Sequence, residues 1–310
     1  MRRIVIFFIV VSLVFILVSK RNAEIIKVTD SIDNTEQSLQ GSVGLHQSEI
    51  LVDGSTRYFQ YFIPNDLPEE SSLIFVFHGG GRGSDPYKSG SGMVDLDKGR
   101  FVELAERDKF VVVYPTGINS QWNDGREVPK EATNNADDIK FTKTLIDWFK
   151  TEFKTDKVYA TGISNGGHMS NKLGCETDYL SGIAPVSAHL STAQSKNCQL
   201  NIPVLMIFGK KDPIAPYEGE DLRRGSVLSA PDTFDRFLSE NGCSGYTESK
   251  YSTNIKLKSG IDCRKETVFY EIANGGHTWP GGTQYLSERI VGLASQEMNA
   301  SDEIVSFFGL

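Results

Sequence analysis

Three residue types that together can cleave an acyl bond occur in one order along this chain, each just beyond an apolar run. Ser164 stands in Gly162-Ile163-Ser164-Asn165-Gly166, directly after "KVYAT". Asp212 follows "VLMIFGKK" and His277 follows "VFYEIANGG". A serine hydroxyl is a poor nucleophile until an imidazole takes its proton, and a carboxylate must hold that imidazole in the right tautomer. A further run, "LIFVF", ends in His78-Gly79-Gly80-Gly81. The tetrahedral intermediate of acyl transfer needs preorganised donors, and the backbone N–H groups of Gly80 and Asn165 are the candidates. The pattern G-x-S-x-G alone is a weak signal in a chain with 29 glycines among 310 residues. Its placement between a strand and a helix start is what gives it weight.

Other residues compete for these roles. Of the five histidines, His46 falls in a polar linker, His78 is placed to brace the glycine loop, and His168 lies in the helix after the serine. His189 also follows a strand and is the alternative to His277 as base. Asp212 has a simple turn role as its alternative. Asp137 and Asp138 precede an apolar helical run, where a cap is the expected role. Trp122 and Trp279 are candidate substrate-binding residues, with core packing as their other reading.

The elements that must position this chemistry read as alternating strands and helices. "SEILVDGSTRYFQYFIP" has two alternating runs around Asp53-Gly54, a hairpin signal. "SLIFVF", "KFVVVYP", "KVYATG", "YLSGIAPVSA", "IPVLMIF" and "TVFYEI" read as strands, the continuous apolar runs as strands buried on both faces. "GRFVELAERDK", "DDIKFTKTLIDWFKTEF" and "APDTFDRFLSENG" show apolar residues at three- and four-residue spacings. "ASDEIVSFFGL" reads as a closing helix capped near Ser301. The fold class expected is α/β, a mostly parallel central sheet with helices on both faces. Ligands bind at the carboxyl ends of such strands.

Arg2 and Arg3 precede an apolar run from Ile4 to Val18, followed by Ser19-Lys20-Arg21. This predicts a signal peptide or N-terminal anchor over residues 1–21 and an exported protein, secreted or periplasmic, touching membrane only through that segment if it is uncleaved. Residues 22–47 read as a polar linker and 48–310 as one catalytic domain. The net charge of −8 disfavours nucleic acid as a partner; losing Arg2, Arg3, Lys20 and Arg21 lowers it by four, to −12. Cys175, Cys198, Cys243 and Cys263 include no C-x-x-C pair and fit an exported chain. Pairing Cys175 with Cys198 and Cys243 with Cys263 closes two local loops. No metal site or cofactor is expected.

On these residues the chain resembles the secreted polyhydroxybutyrate depolymerase and feruloyl esterase family of α/β-hydrolases, from about residue 48 to the C-terminus. "GGHTWPGG" (275–282) is similar to the family's catalytic-histidine motif, "GISNGGHMS" to its nucleophile elbow, and "GKKDPIAPYEG" to its acid motif. "NADDIKFTKTLIDWF" is similar to the helix before the elbow strand. Gly80 stands where family members often carry a cysteine, and no appended polymer-binding domain is legible. The resemblance implies a serine esterase with Ser164, His277 and Asp212 as its triad and Gly80 and Asn165 as oxyanion donors. It also supports the disulfide pairing. The expected substrates are hydroxyalkanoate oligomers or feruloyl or acetyl esters of polysaccharide. A serine peptidase of the same fold is the alternative, and a non-catalytic binding protein a more distant one.

Overall fold

The computed structural model describes residues 43–81, 88–126, 136–222 and 225–310. The expected leader or anchor at 1–21, and the linker up to residue 42, lie outside them. β1 (Gly44–Val52) and β2 (Ser55–Ile63) form an antiparallel hairpin. Asp53 and Gly54 at its turn both have positive φ, 50° and 77°, the two-residue turn whose twist matches its strands. β1 begins four residues ahead of the boundary expected at 48, and His46 belongs to it, stacked on Tyr61 at 4.9 Å. An edge strand with one wet face needs no sustained apolar run, so this stretch looked like linker.

β3 (Leu73–Phe77), β4 (Val111–Pro115), β5 (Val158–Ile163), β6 (Gly182–Val186) and β7 (Val204–Gly209) are buried at every position. A short ribbon of β8 (Glu220–Leu222) and β9 (Gly225–Val227) stands apart from the main sheet. β10 (Gly245–Lys250) and β11 (Ile255–Ile261) are an antiparallel pair exposed or half-buried except at Ile255, and β12 (Thr267–Ile272) is buried throughout. The sheet order is β1-β2-β4-β3-β5-β6-β7-β12-β11-β10, parallel from β4 to β12 and antiparallel at both ends. The α/β expectation holds. Sequence reading missed the β10–β11 extension, because "GYTESK" and "IKLKSGI" are mostly polar.

Helices cover both faces. Phe141, Leu145 and Phe149 of α3 (Asp138–Phe153), Met169 and Leu173 of α4 (Asn165–Glu176), and Phe234 and Phe237 of α6 (Ala230–Glu240) enter one core. Met93 of α1 (Lys88–Leu96), Phe101 and Leu104 of α2 (Arg100–Asp108), and Ile304, Val305 and Phe308 of α8 (Ala300–Phe308) enter the other. Two short helices, α5 (Thr192–Asn197) and α7 (Glu288–Val291), lie in connections. Asp137 caps α3, its side chain accepting the Lys140 N–H, as expected. Asp138 instead forms a buried ion pair with Arg57 at 2.6 Å, joining α3 to β2. The cap of α8, expected near Ser301, is Asn299, whose Oδ1 accepts the N–H groups of Ser301 and Asp302. Ser301 lies one position inside the helix, with its hydroxyl turned to Trp279.

The disulfides are Cys175–Cys198 and Cys243–Cys263, the pairing expected. The first ties the end of α4 to the end of α5, and the second closes the base of the β10–β11 pair. In the loop-entropy account each stabilises by about 3 kcal/mol. Among the described residues no helix is long and apolar enough to cross a membrane.

Candidate active site

Ser164 follows β5 by one residue and immediately precedes α4, at φ 57° and ψ −123°. A non-glycine residue adopts that backbone only when its surroundings over-determine it. Here they do. The Ser164 N–H donates to Val186 O at 2.9 Å, while Ser164 O accepts from His168 N–H at 2.8 Å. The flanking glycines are required by space: a Cβ on Gly162 would sit 2.4 Å from Phe77 O, and one on Gly166 2.2 Å from the same oxygen. The tight turn therefore lies directly on the end of β3. The Ser164 side chain is part-exposed at the carboxyl end of the sheet.

Asp212 comes three residues past β7, and His277 five residues past β12, its parallel neighbour. His277 Nδ1 donates to Asp212 Oδ2 at 2.7 Å. Asp212 Oδ1 accepts the N–H groups of Ile214 and Ala215 at 2.8 and 2.7 Å. Three donors thus fix one carboxylate, and with Nδ1 carrying the proton the imidazole keeps a lone pair on Nε2. Lys211 N–H donates to Gly275 O, and Tyr285 Oη–H to His277 O, which joins the two loops and holds the second. Asp212 and His277 are both buried.

Gly79 and Gly80 lie beside the serine: a Cβ on Gly79 would be 3.6 Å from Ser164 Cβ, and one on Gly80 3.5 Å from Asn165 Cβ. The Asn165 N–H is the first of α4, so it has no acceptor within the helix. The Asn165 side chain is locked by Trp122 N–H at 2.8 Å, Trp122 O at 3.2 Å and Asp124 Oδ2 at 2.5 Å. His78 accepts the Gly117 N–H on Nε2 and donates from Nδ1 to Gly79 O, which is the bracing role expected of it. The competitor His189 donates from Nε2 to Pro216 O, and His168 is buried in α4.

Trp122 and Trp279 are corrected as pocket residues. They are 1% and 0% exposed, Trp122 against Phe77 and His78 and Trp279 against Phe101 with its N–H on Ser301. A ring with no accessible surface cannot line an open wall. Sequence reading missed Asp124, whose carboxylate meets both Asn165 and Arg126. The turn-like "QWNDG" gave it no chemical signature.

Burial keeps these histidines neutral. It pushes His78 and His189 down to about 4, and His168 well below its ordinary value. In the unfolded chain they titrate near 6.5. Their stabilisation is therefore complete above about pH 6.5 and lost as pH falls toward 4. Asp97 acts in the opposite sense. Burial pushes it up to about 7, against the Phe101 and Gly99 N–H groups it accepts. Unfolding between pH 4 and 7 releases its proton, so its contribution is lost as pH rises through that window. Asp97→Asn is thus expected to lose stability more steeply than wild type between pH 6.5 and 5, by up to about 1.4 kcal/mol per pH unit. Thermal melts of both proteins across that range check this, and parallel curves would refute a proton on Asp97.

No family model matches the chain. It is 26% identical over 291 residues to "Putative esterase NocK" of Nocardia uniformis subsp. tsuyamanensis, covering 84% of this chain and 81% of that protein. It is 25% identical over 243 residues to "Feruloyl esterase D" of Neurospora crassa, covering 73% and 71%. Among solved structures, the acetyl xylan esterase from Aspergillus awamori superposes with a TM-score of 0.54 at 12% identity, over 82% of this chain and 94% of that one. That likeness carries the fold, and the sequence relatives carry the kinship. The chain has the α/β-hydrolase fold, and the sequence relatives it matches are named esterases.

Proposed function

We propose that this carboxylic ester hydrolase works through Ser164, His277 and Asp212 by way of an acyl-enzyme. The reading is carried by the 2.7 Å His277–Asp212 pair, at the same sheet end as a serine in a strained strand-to-helix turn. Ser164 Oγ attacks the ester carbonyl as its proton passes to His277 Nε2. Asp212 holds the Nδ1 proton and stabilises the imidazolium. The backbone N–H groups of Gly80 and Asn165 receive the oxyanion, Asn165 with the added field of a helix N-terminus. His277 then protonates the departing alcohol. Water, deprotonated by the same Nε2, releases the acid and frees the serine.

The substrates proposed are feruloyl or acetyl esters of polysaccharide, the ester types named for the feruloyl and acetyl xylan esterases above, with hydroxyalkanoate oligomers, the class drawn from motif resemblance, as the other candidate. The proposed setting is extracellular or periplasmic, supported by the two disulfides.

The test is a panel assay with the purified full chain: an aryl butyrate, methyl ferulate, acetylated xylan, a hydroxybutyrate dimer and an amino-acyl anilide. Turnover of the esters with none of the anilide is expected. Turnover of the anilide alone would replace this reading with a peptidase, and folded protein inert to every substrate and to a fluorophosphonate would remove the enzyme reading.

A further inference from the structure

The two proposed oxyanion donors belong to different elements, Gly80 to the loop after β3 and Asn165 to the start of α4. Their spacing must be set by something that touches both. The segment 117–122, after β4, does so. It makes four bonds to the His78–Gly81 loop: Gly117 N–H to His78 Nε2 at 3.0 Å, Gly81 N–H to Ser120 O at 3.1 Å, Gln121 Nε2 to Gly81 O at 3.1 Å, and Trp122 Nε1–H to His78 O at 2.9 Å. It makes two more to Asn165, through Trp122 N–H and Trp122 O. Trp122 is the residue that reaches both sides, by its indole to one loop and its backbone to the other.

The backbone of this segment is unusual. Asn119 and Ser120 are consecutive non-glycine residues at φ 53° and 57°. Such a pair persists where surrounding contacts over-determine it, and here those contacts lead to the two donors. A buried indole N–H needs an acceptor in any core; that of Trp122 takes the His78 carbonyl, in the same loop as Gly80.

We infer that Trp122 is a positioning residue that sets the distance between the Gly80 and Asn165 N–H groups and so tunes stabilisation of the oxyanion. This rests on the esterase reading. It predicts a loss confined to the transition state, because a ground-state carbonyl asks little of the donor geometry.

Trp122→Phe keeps an aromatic ring against Phe77 and His78 and deletes the indole N–H. The expected result, on an aryl butyrate, is a fall in kcat of about tenfold to a hundredfold, below the hundredfold or more typical of losing a donor outright. KM should stay within about threefold and the melting temperature within a few degrees. A trifluoromethyl ketone probes the hole directly: Ser164 Oγ adds to its carbonyl carbon, the proton goes to His277, and the new oxyanion occupies the hole. Its affinity is expected to fall by the same factor as kcat. An unchanged kcat, or a fall in kcat without the matching loss of ketone affinity, overturns the inference.

Asn165→Ser, which keeps the backbone N–H but loses both bonds to Trp122, should show the same paired losses and stands in if Trp122→Phe does not fold. The double variant should lose no more than the worse single one, as two residues acting through one clasp do; additive losses would count against it. A wild-type protein inert to both aryl butyrate and the ketone faults the esterase reading instead, so the two failures are separable.

Discussion

Replacing Ser164 by alanine is expected to lower kcat on an aryl butyrate by about five to six orders of magnitude, with the fold intact. The size follows from what is removed. Alanine has the same Cβ as serine, so the turn at φ 57° and its bonds to Val186 O and His168 N–H are kept. The Gly80 and Asn165 N–H groups also remain, and these leave a residual rate above that in water. Only the proposed nucleophile is gone. Steady-state kinetics beside fluorophosphonate labelling of both proteins decide the matter. A variant within tenfold of wild type, or one that still takes the label, would move the nucleophile elsewhere.

Asp212→Asn should cost about four orders of magnitude in kcat with little change in stability. In wild type, Asp212 Oδ1 accepts two backbone N–H groups and Oδ2 accepts from His277 Nδ1. Asparagine has one acceptor oxygen. Pinned by the Ile214 and Ala215 N–H groups, that oxygen leaves the amide NH2 facing Nδ1. An NH2 can only donate, so Nδ1 must become the acceptor and the imidazole proton moves to Nε2. The nitrogen meant to take the Ser164 proton then has no lone pair for it. A kcat profile between pH 6 and 9 should stay low across the whole range, because the fault is tautomeric. A loss below tenfold would mean that another group, His189 foremost, serves as base.

How much of this was legible in the sequence differs residue by residue. The strand ends were, because a parallel strand covered on both faces is a continuous apolar run, and "LIFVF", "KVYATG" and "VLMIFG" each mark one. Once those ends are known, Ser164, Asp212 and His277 are simply what comes next in the chain. The crowding that excludes side chains at Gly162 and Gly166 also leaves a local trace, since only glycine fits. The clasp on Asn165 leaves none. Its partners lie 43 residues away, bonded through backbone groups that every residue type but proline possesses. A tryptophan holding two loops reads from sequence like a tryptophan filling a core. The first four residues of β1 and the β10–β11 pair were missed for a related reason: their stability comes from pairing with neighbours already in the sheet, not from a hydrophobic pattern of their own.

The backbone of Ser164 has one more consequence. Glycine adopts positive φ freely, and any residue with a Cβ there is held at a cost of order 1–3 kcal/mol. On the proposed mechanism, if stability alone were selected, position 164 would drift to glycine and the protein would become more robust and inert. Directed evolution for heat tolerance alone would be drawn to the same substitution. On that mechanism the serine marks the position where survival of the fold and survival of the activity make opposite demands on one codon.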